Sequence, residues 1–229
     1  MAKHVGIVGC SSEGAALCYR MICLEAAETM GTYHHPEVSM HTHSLARYMD
    51  FIVAGDWPAV AGLMLDSAGK LAAAGAELLI CPDNTIHQAM PLVEPASPLP
   101  WLHIAREVVR EARRRSFRCL AVLGTMQLMT GPVYGDAAGE GGLDVKIPDP
   151  RQREEVHRII FEELVLGRVR PESRRYLHGV MASMKSAGCD AAVLGCTELP
   201  LLADGPAGPL PTLDSTRLLA RAAIREAAR

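Results

Sequence analysis

The strongest constraint on how this chain folds is a phrase that occurs in it twice. Residues 73–85 read AAGAELLICPDNT and residues 186–198 read SAGCDAAVLGCTE; they align without a gap at an offset of 113, the distance from Asp83 to Cys196. Gly75 falls on Gly188, Glu77 on Asp190 and Pro82 on Gly195. Two further glycines, Gly9 and Gly124, close apolar runs at nearly the same offset, 115 residues apart. A helix–Gly–acid–strand phrase is common in α/β proteins. Two phrases at matching offsets are better explained by a duplicated half-chain, whose halves, facing each other, would bring Asp83 and Cys196 to equivalent positions across one cleft.

Apolar runs alternating with helical patterns predict parallel sheets with helices packed on them. Residues 4–9, 38–44, 77–81 and 99–104 read as strands in the first part, with helices over 13–30 and 58–74 and one from the fourth strand through Arg115. The pattern restarts with a strand at 118–124, helices at 150–163 and 171–187, a buried strand at 191–195 and a last helix at 215–228. Gly75 and Gly188 stand at the C-terminal stop of their helices.

Composition narrows the function classes. Hydrophobic residues make up 49% and charged residues 21% of 229, with a formal net charge of −3, which gives no electrostatic reason for nucleic acid or an anionic membrane as partner. The basic run Arg113–Arg115 with Arg118 reads as a solvated helix end. No segment approaches the ~20 apolar residues of a membrane span. The N-terminus runs directly into a strand pattern without a signal-peptide cleavage region, so a cytoplasmic protein is expected. Seven cysteines, an odd number with no CxxC spacing, argue against disulfides and against zinc. His34 and His35 with His41 and His43 resemble a ligand cluster, but no Cys or carboxylate lies in ligand register beside them, so no metal is expected. The turn GIVGCSS at residues 6–12 fits neither GxGxxG nor GxxxxGK[ST], and no GxSxG elbow is present, which disfavours a nucleotide site and a serine hydrolase.

Asp83 and Cys196 each lie just past a strand end, where ligands gather in open α/β sheets, and each is followed by short polar donors. Two proton-transfer groups on opposite sides of one carbon are what stereochemical inversion needs: one removes the α-proton, the other returns a proton to the opposite face. A thiolate suits the base role, since nearby donors lower its pKa. A cysteine at a buried strand end is usually a small core residue. The polar Thr197 and Glu198 that follow Cys196 mark a functional turn instead.

At these residues the chain resembles the aspartate/glutamate racemase superfamily, which also holds hydantoin racemases, maleate isomerases and arylmalonate decarboxylases. The likeness runs through Gly6-Ile7-Val8-Gly9, Ala54-Gly55-Asp56-Trp57, Asn84-Thr85-Ile86-His87, Leu123-Gly124-Thr125, His157-Arg158-Ile159-Ile160 with Glu163-Leu164, Leu194 to Pro200, and Thr212 to Arg217. The resemblance implies an α/β fold of two pseudo-symmetric halves, each a parallel sheet flanked by helices, with the active site in the cleft between them. Residues 1–98 with 208–229 would form the first half and 99–207 the second. It also implies a homodimer that racemises a small amino acid with two opposed cysteines and no cofactor. Carried over by position, Cys196 is the second-half catalytic cysteine, and Asn84, Thr85, Thr125 and Thr197 bind the substrate's α-carboxylate or ammonium. Ser11 and Ser12 lie in the first Gly-rich turn, one residue shorter than the family pattern, and Arg168 and Arg47 are candidate partners for a side-chain carboxylate. His87 and Glu198 take supporting roles, His87 to orient or protonate a catalytic group or to pack the helix start.

One departure matters. The family's first catalytic cysteine directly precedes Asn-Thr-x-His; here that position is Asp83, and Cys81 lies two residues earlier, one rung deeper in the strand. Three readings follow, in order of preference. Asp83 and Cys196 form an unequal acid–base pair in a racemase or epimerase acting on aspartate, glutamate or a related amino acid. Alternatively Cys196 alone moves protons, in a decarboxylase or isomerase of a small dicarboxylic acid. The last is a ligand-binding relative without chemistry.

Overall fold

The computed structural model describes residues 2–203 and 208–229. The buried apolar runs become strands of two four-stranded sheets. Strands β1 (Val5–Gly9), β2 (Val38–Thr42), β3 (Leu78–Ile80) and β4 (Trp101–Leu102) assemble in the order β2-β1-β3-β4. Strands β5 (Cys119–Leu123), β6 (Asp144–Lys146), β7 (Ala191–Leu194) and β8 (Thr212–Asp214) assemble as β6-β5-β7-β8. Every pairing in both is parallel. The same order therefore occurs twice, and the α/β architecture of two helix-flanked parallel sheets expected from the sequence is the one observed.

Alternation along the strands sends side chains to both faces. On one face of the first sheet Val8, Leu79 and Cys81 pack with Val60, Met64, Ala68 and Leu71 of the helix Trp57–Ala73. On the other, Val5, Ile7, Leu78 and Ile80 meet Ala15, Cys18 and Ile22 of the helix Ser12–Glu25 and Leu219, Ala220 and Ala223 of the helix Ser215–Ala227. In the second sheet Ala121, Leu123, Ala192 and Leu194 pack with Val156, Ile159 and Ile160 of Pro150–Glu162 and with Leu177, Met181 and Met184 of Pro171–Ser186. Full burial of one Leu or Ile is worth about 1.5–3 kcal/mol, against about 0.5–1.5 kcal/mol net for a hydrogen bond. Burial therefore decides which residues form the strands, and the ladder then fixes their register. Among the described residues no helix is long and apolar enough to cross a membrane.

The structure differs from the sequence reading in several elements. The helix expected over 13–30 is broken into Ser12–Glu25 and Ala27–Met30. A helix at Leu45–Ala54, another at Val133–Gly141 and the strands β6 and β8 were not anticipated. Both strands lie at sheet edges, where half-exposed residues carry no buried apolar run; in β6 Asp144 and Lys146 are exposed. The chain forms two compact units, one of residues up to Glu107 together with Thr216–Arg229, the other Val108–Ser215. The divisions expected at 98/99 and 207/208 are thus displaced, and residue 207 lies outside the described residues. The first moves later because β4 pairs with β3, Leu79 opposite Trp101 and Ile80 opposite Leu102. The second moves because β8 pairs with β7, Leu194 opposite Asp214.

The duplicated phrase has a duplicated geometry. Gly75 and Gly188 close their helices at φ +94° and +92°, a region that L side chains rarely enter. The residue after each closes a six-residue loop, Ala76 N–H donating to the Leu71 carbonyl and Cys189 N–H to the Met184 carbonyl, both at 3.0 Å. Gly188→Ala should therefore destabilise the fold by about 1–2 kcal/mol, read as a lower urea midpoint with an unchanged slope. An unshifted midpoint would show that the positive φ is not needed at that position.

Candidate active site

The parallel pairing of each sheet's first and third strands in the chain sets the site residues side by side. Ile7 lies opposite Ile80, and Cys10 and Asp83 each come three residues after that pair. In the second sheet Leu123 lies opposite Leu194, and Thr125 and Cys196 each come two residues after that pair. The repeat that relates Asp83 to Cys196 in sequence thus relates Cys10 to Thr125 in the fold. Within the first unit lie Ser11, Ser12, Arg47, Asp83, Asn84, Thr85 and His87; within the second lie Thr125, Arg168, Cys196, Thr197 and Glu198.

In the second unit the half-buried Cys196 donates its thiol proton to Glu198 Oε2 at 2.9 Å, and Thr197 Oγ1 donates to the same oxygen at 2.7 Å. The thiol and hydroxyl of the Cys-Thr-Glu phrase thus converge on one carboxylate oxygen. Gly195 is required before it: a Cβ there would collide with the Leu128 side chain and stand 3.0 Å from the Leu123 carbonyl. Thr125 accepts from Leu128 N–H at 3.2 Å and caps the short helix Met126–Thr130. Its neighbour Met126 N–H donates to His157 Nδ1 at 3.2 Å, so this ring, pushed below its ordinary pKa by burial, braces the same turn.

In the first unit Ser11 caps the helix Ser12–Glu25 by accepting from Gly14 N–H at 3.2 Å, and Ser12 is exposed. Asp83 is half-buried and Asn84 buried, and Thr85 opens the 3-10 turn Thr85–Ala89. The fully buried Cys81 belongs to the core, and burial, then the Asp83 charge, push its thiol well above the usual range. His87 Nδ1 lies 2.7 Å from the Asp83 carbonyl and its Nε2 3.3 Å from the Ile104 N–H. A carbonyl only accepts and an amide N–H only donates, so the ring is the neutral Nδ1–H tautomer with both nitrogens committed to backbone. Burial, with Arg106 nearby, pushes it down to about 4, while the bond to the Asp83 carbonyl opposes that shift. Of the roles expected for His87, holding the Asp83 turn fits this geometry and protonating a catalytic group does not.

The two arginines are exposed. Arg168 follows Gly167 at φ +71° and makes no side-chain hydrogen bond or ion pair among the described residues, whereas Arg47 donates to His43 Nδ1 at 3.3 Å. One ligand atom each of His41, His43 and Asp66 lie within 4.8 Å of one another, so the carboxylate missed in sequence comes from the helix Trp57–Ala73. Asp66 Oδ2 lies 2.8 Å from His43 Nε2 and 2.6 Å from Lys70 Nζ. Lys70 and Asp66 form an i, i+4 ion pair beside the two imidazoles. Sequence reasoning also missed Cys10 and Tyr48, whose environments include Asp83. Only the pairing of β1 with β3 could have flagged Cys10.

Because His87 ordinarily titrates at 6.5 and here near 4, the unfolded chain binds a proton in that interval that the folded chain does not. Stability should be full above pH 6.5 and fall as the pH drops toward 4. His103, pushed down to about 2 by burial and then by His87, extends the fall. His87→Leu should lower stability at neutral pH by roughly 2–4 kcal/mol, since two backbone groups lose their partner. It should also flatten the acid slope in urea titrations; an unaltered slope would mean that the ring does not stay neutral on folding.

With this geometry in hand, the relatives are informative. The Asp/Glu/Hydantoin racemase family profile matches residues 7–223. The chain is 23% identical over 164 residues to the broad specificity amino-acid racemase RacX of Bacillus subtilis, covering 70% of this chain and 69% of that one. The crystal structure of a candidate Asp/Glu racemase from Yersinia pestis superposes with a TM-score of 0.92 at 31% identity, over 99% of this chain and 100% of that one. An aspartate racemase homologue from Pyrococcus horikoshii gives 0.88 at 28% identity over 100% of both chains. The chain belongs to the Asp/Glu/hydantoin racemase family.

Proposed function

We propose that this chain is a cofactor-independent amino-acid racemase or epimerase in which Cys196 and Asp83 are the two proton-transfer groups. The observation that carries this reading is the Cys196 thiol donating to Glu198 at 2.9 Å directly after a strand-ending glycine. Glu198 takes the thiol proton, and the thiolate removes the α-proton of a bound amino acid. Asp83, at the equivalent place in the first unit's repeat and in its protonated form, gives its proton to the opposite face; in the reverse direction the Asp83 carboxylate removes the α-proton and the Cys196 thiol returns one. The small amino-acid substrate accords with the printed activity of the Bacillus relative. Aspartate, glutamate or a related amino acid is the proposed substrate, with Arg168 and Arg47 as partners for a side-chain carboxylate and Asn84, Thr85, Thr125, Thr197, Ser11 and Ser12 for the α-substituents. A carboxylate at position 83 repels an acidic side chain, which favours unequal rates in the two directions or a less acidic substrate. The proposal includes a cytoplasmic homodimer that needs neither metal nor pyridoxal and has no nucleic-acid partner.

Proton NMR in D₂O with L- and D-amino acids, beginning with aspartate and glutamate and run beside chiral chromatography, tests this. Loss of the α-proton with inversion is expected. Cys196→Ser should lower α-proton exchange by about 10²–10⁴-fold, the usual worth of a positioned acid or base; full activity in that variant would remove Cys196 from the site. Asp83→Cys should raise racemisation of aspartate or glutamate, and no gain in a folded variant would count against Asp83 as the second group.

A further inference from the structure

We propose that His41, His43 and Asp66 form a binding site for a divalent transition-metal ion of the zinc class, built within the first unit and separate from the proton-transfer groups. One ligand atom from each of the three side chains lies within 4.8 Å of the other two. The proposal does not rest on the racemase reading, and the reaction proposed above takes no step through this ion.

Two elements make the cluster. His41 belongs to β2, where it pairs with Val8, and His43 follows one residue past the strand end. Side chains two residues apart along a strand share a face, so the His-Thr-His run sends both imidazoles the same way. Their rings meet edge to face with centroids 4.9 Å apart. The helix Trp57–Ala73 packs against this strand and supplies Asp66, with Ser67 beside it.

The hydrogen bonds prepare the imidazoles. Ser67, fully buried, donates its single hydroxyl proton to the Leu63 carbonyl at 3.0 Å. Its oxygen therefore accepts from His41 Nδ1, also at 3.0 Å, which places the ring's proton on Nδ1 and leaves the lone pair on Nε2. Metal-ligating imidazoles are held in this way, by a bond from the other nitrogen that fixes tautomer and orientation. His43 gives an independent sign. Its Nε2 is buried without a hydrogen-bond partner among the described residues, although Asp66 Oδ2 stands 2.8 Å away. Buried polar atoms ordinarily have a partner, and an ion held by both residues supplies one.

Spacing and ligand type select the ion. A tetrahedral ion with bonds of about 2.0–2.1 Å holds its ligand atoms roughly 3.3–3.4 Å apart. The separations here bracket that value, 2.8 Å for the His43–Asp66 pair and no more than 4.8 Å for the trio, so small side-chain rotations close the site. Two imidazoles and a carboxylate suit zinc and its first-row neighbours, whereas calcium and magnesium prefer all-oxygen sites. Two cations give way: Lys70, 2.6 Å from Asp66 Oδ2, and Arg47, 3.3 Å from His43 Nδ1, which takes the ring's proton when Nε2 ligates. Both are exposed, and an exposed ion pair contributes little.

Cobalt(II) and zinc(II) titrated into the untagged full-length protein test the site. The first equivalent of cobalt should give the ligand-field absorption of a four-coordinate ion without the thiolate charge-transfer band that any of the seven cysteines would add. Zinc at about a hundredfold its Kd should raise the unfolding midpoint by roughly 5–10 °C. His41→Ala and His43→Ala should abolish both signals, and Ser67→Ala should weaken binding by roughly 10–100-fold. Lys70→Met, which removes a competing cation, should tighten it. A thiolate band in the first equivalent, or full affinity in His43→Ala, would overturn the assignment. If the histidine variants do not fold, the exposed positions decide: Asp66→Asn and Lys70→Met should move the affinity in opposite directions, and no change in either removes the site.

Discussion

Each sheet depends on the parallel pairing of its two central strands, β1 with β3 and β5 with β7. These strands are buried on both faces, so a slip of one residue would turn every apolar side chain onto the wrong neighbour. The register is therefore fixed by the core. A fixed register sets where each strand leaves the ladder, and Cys10, Asp83, Thr125 and Cys196 each lie one to three residues past a strand end. The proposed site residues occupy positions where side chains can differ without disturbing the pairing.

The turns that follow are held by backbone contacts rather than by packing alone. His87 ties the Asp83 carbonyl to the Ile104 N–H, and His157 receives the Met126 N–H beside Thr125. Both imidazoles are pushed toward the neutral form by burial, which suits an acceptor for a backbone donor. Rigid turns matter for proton transfer because the reaction is sensitive to small misplacement of the acid or base. The two units use the same device at different sequence positions, as a duplicated fold that has since diverged would.

Divergence is clearest in the polar pairs. In the second unit the thiol stands forward and a carboxylate two residues on receives its proton. In the first, Asp83 is half-buried and Cys10, whose thiol is pushed up by burial and then by the Asp83 charge, is buried.

Much of this was legible in the chain. The strand runs at residues 4–9, 77–81, 118–124 and 191–195 are apolar because they are buried on both faces, and periodicity reports burial directly. The edge strands β6 and β8 were not legible, because half-exposed strands carry mixed residues, and the unit boundaries followed those strands. The contact between Cys196 and Glu198 is within reach of a local reading because they are two residues apart. Asp66 could not be joined to His41 and His43, because these residues lie far apart in the chain and meet only when a helix packs on the sheet. The sequence by itself determined the duplicated architecture, the strand-ending turns and the residue types at each turn. Only the tertiary structure decided where the proton on His87 sits and which carboxylate lies beside His41 and His43, since these follow from burial and from contacts that local sequence does not encode.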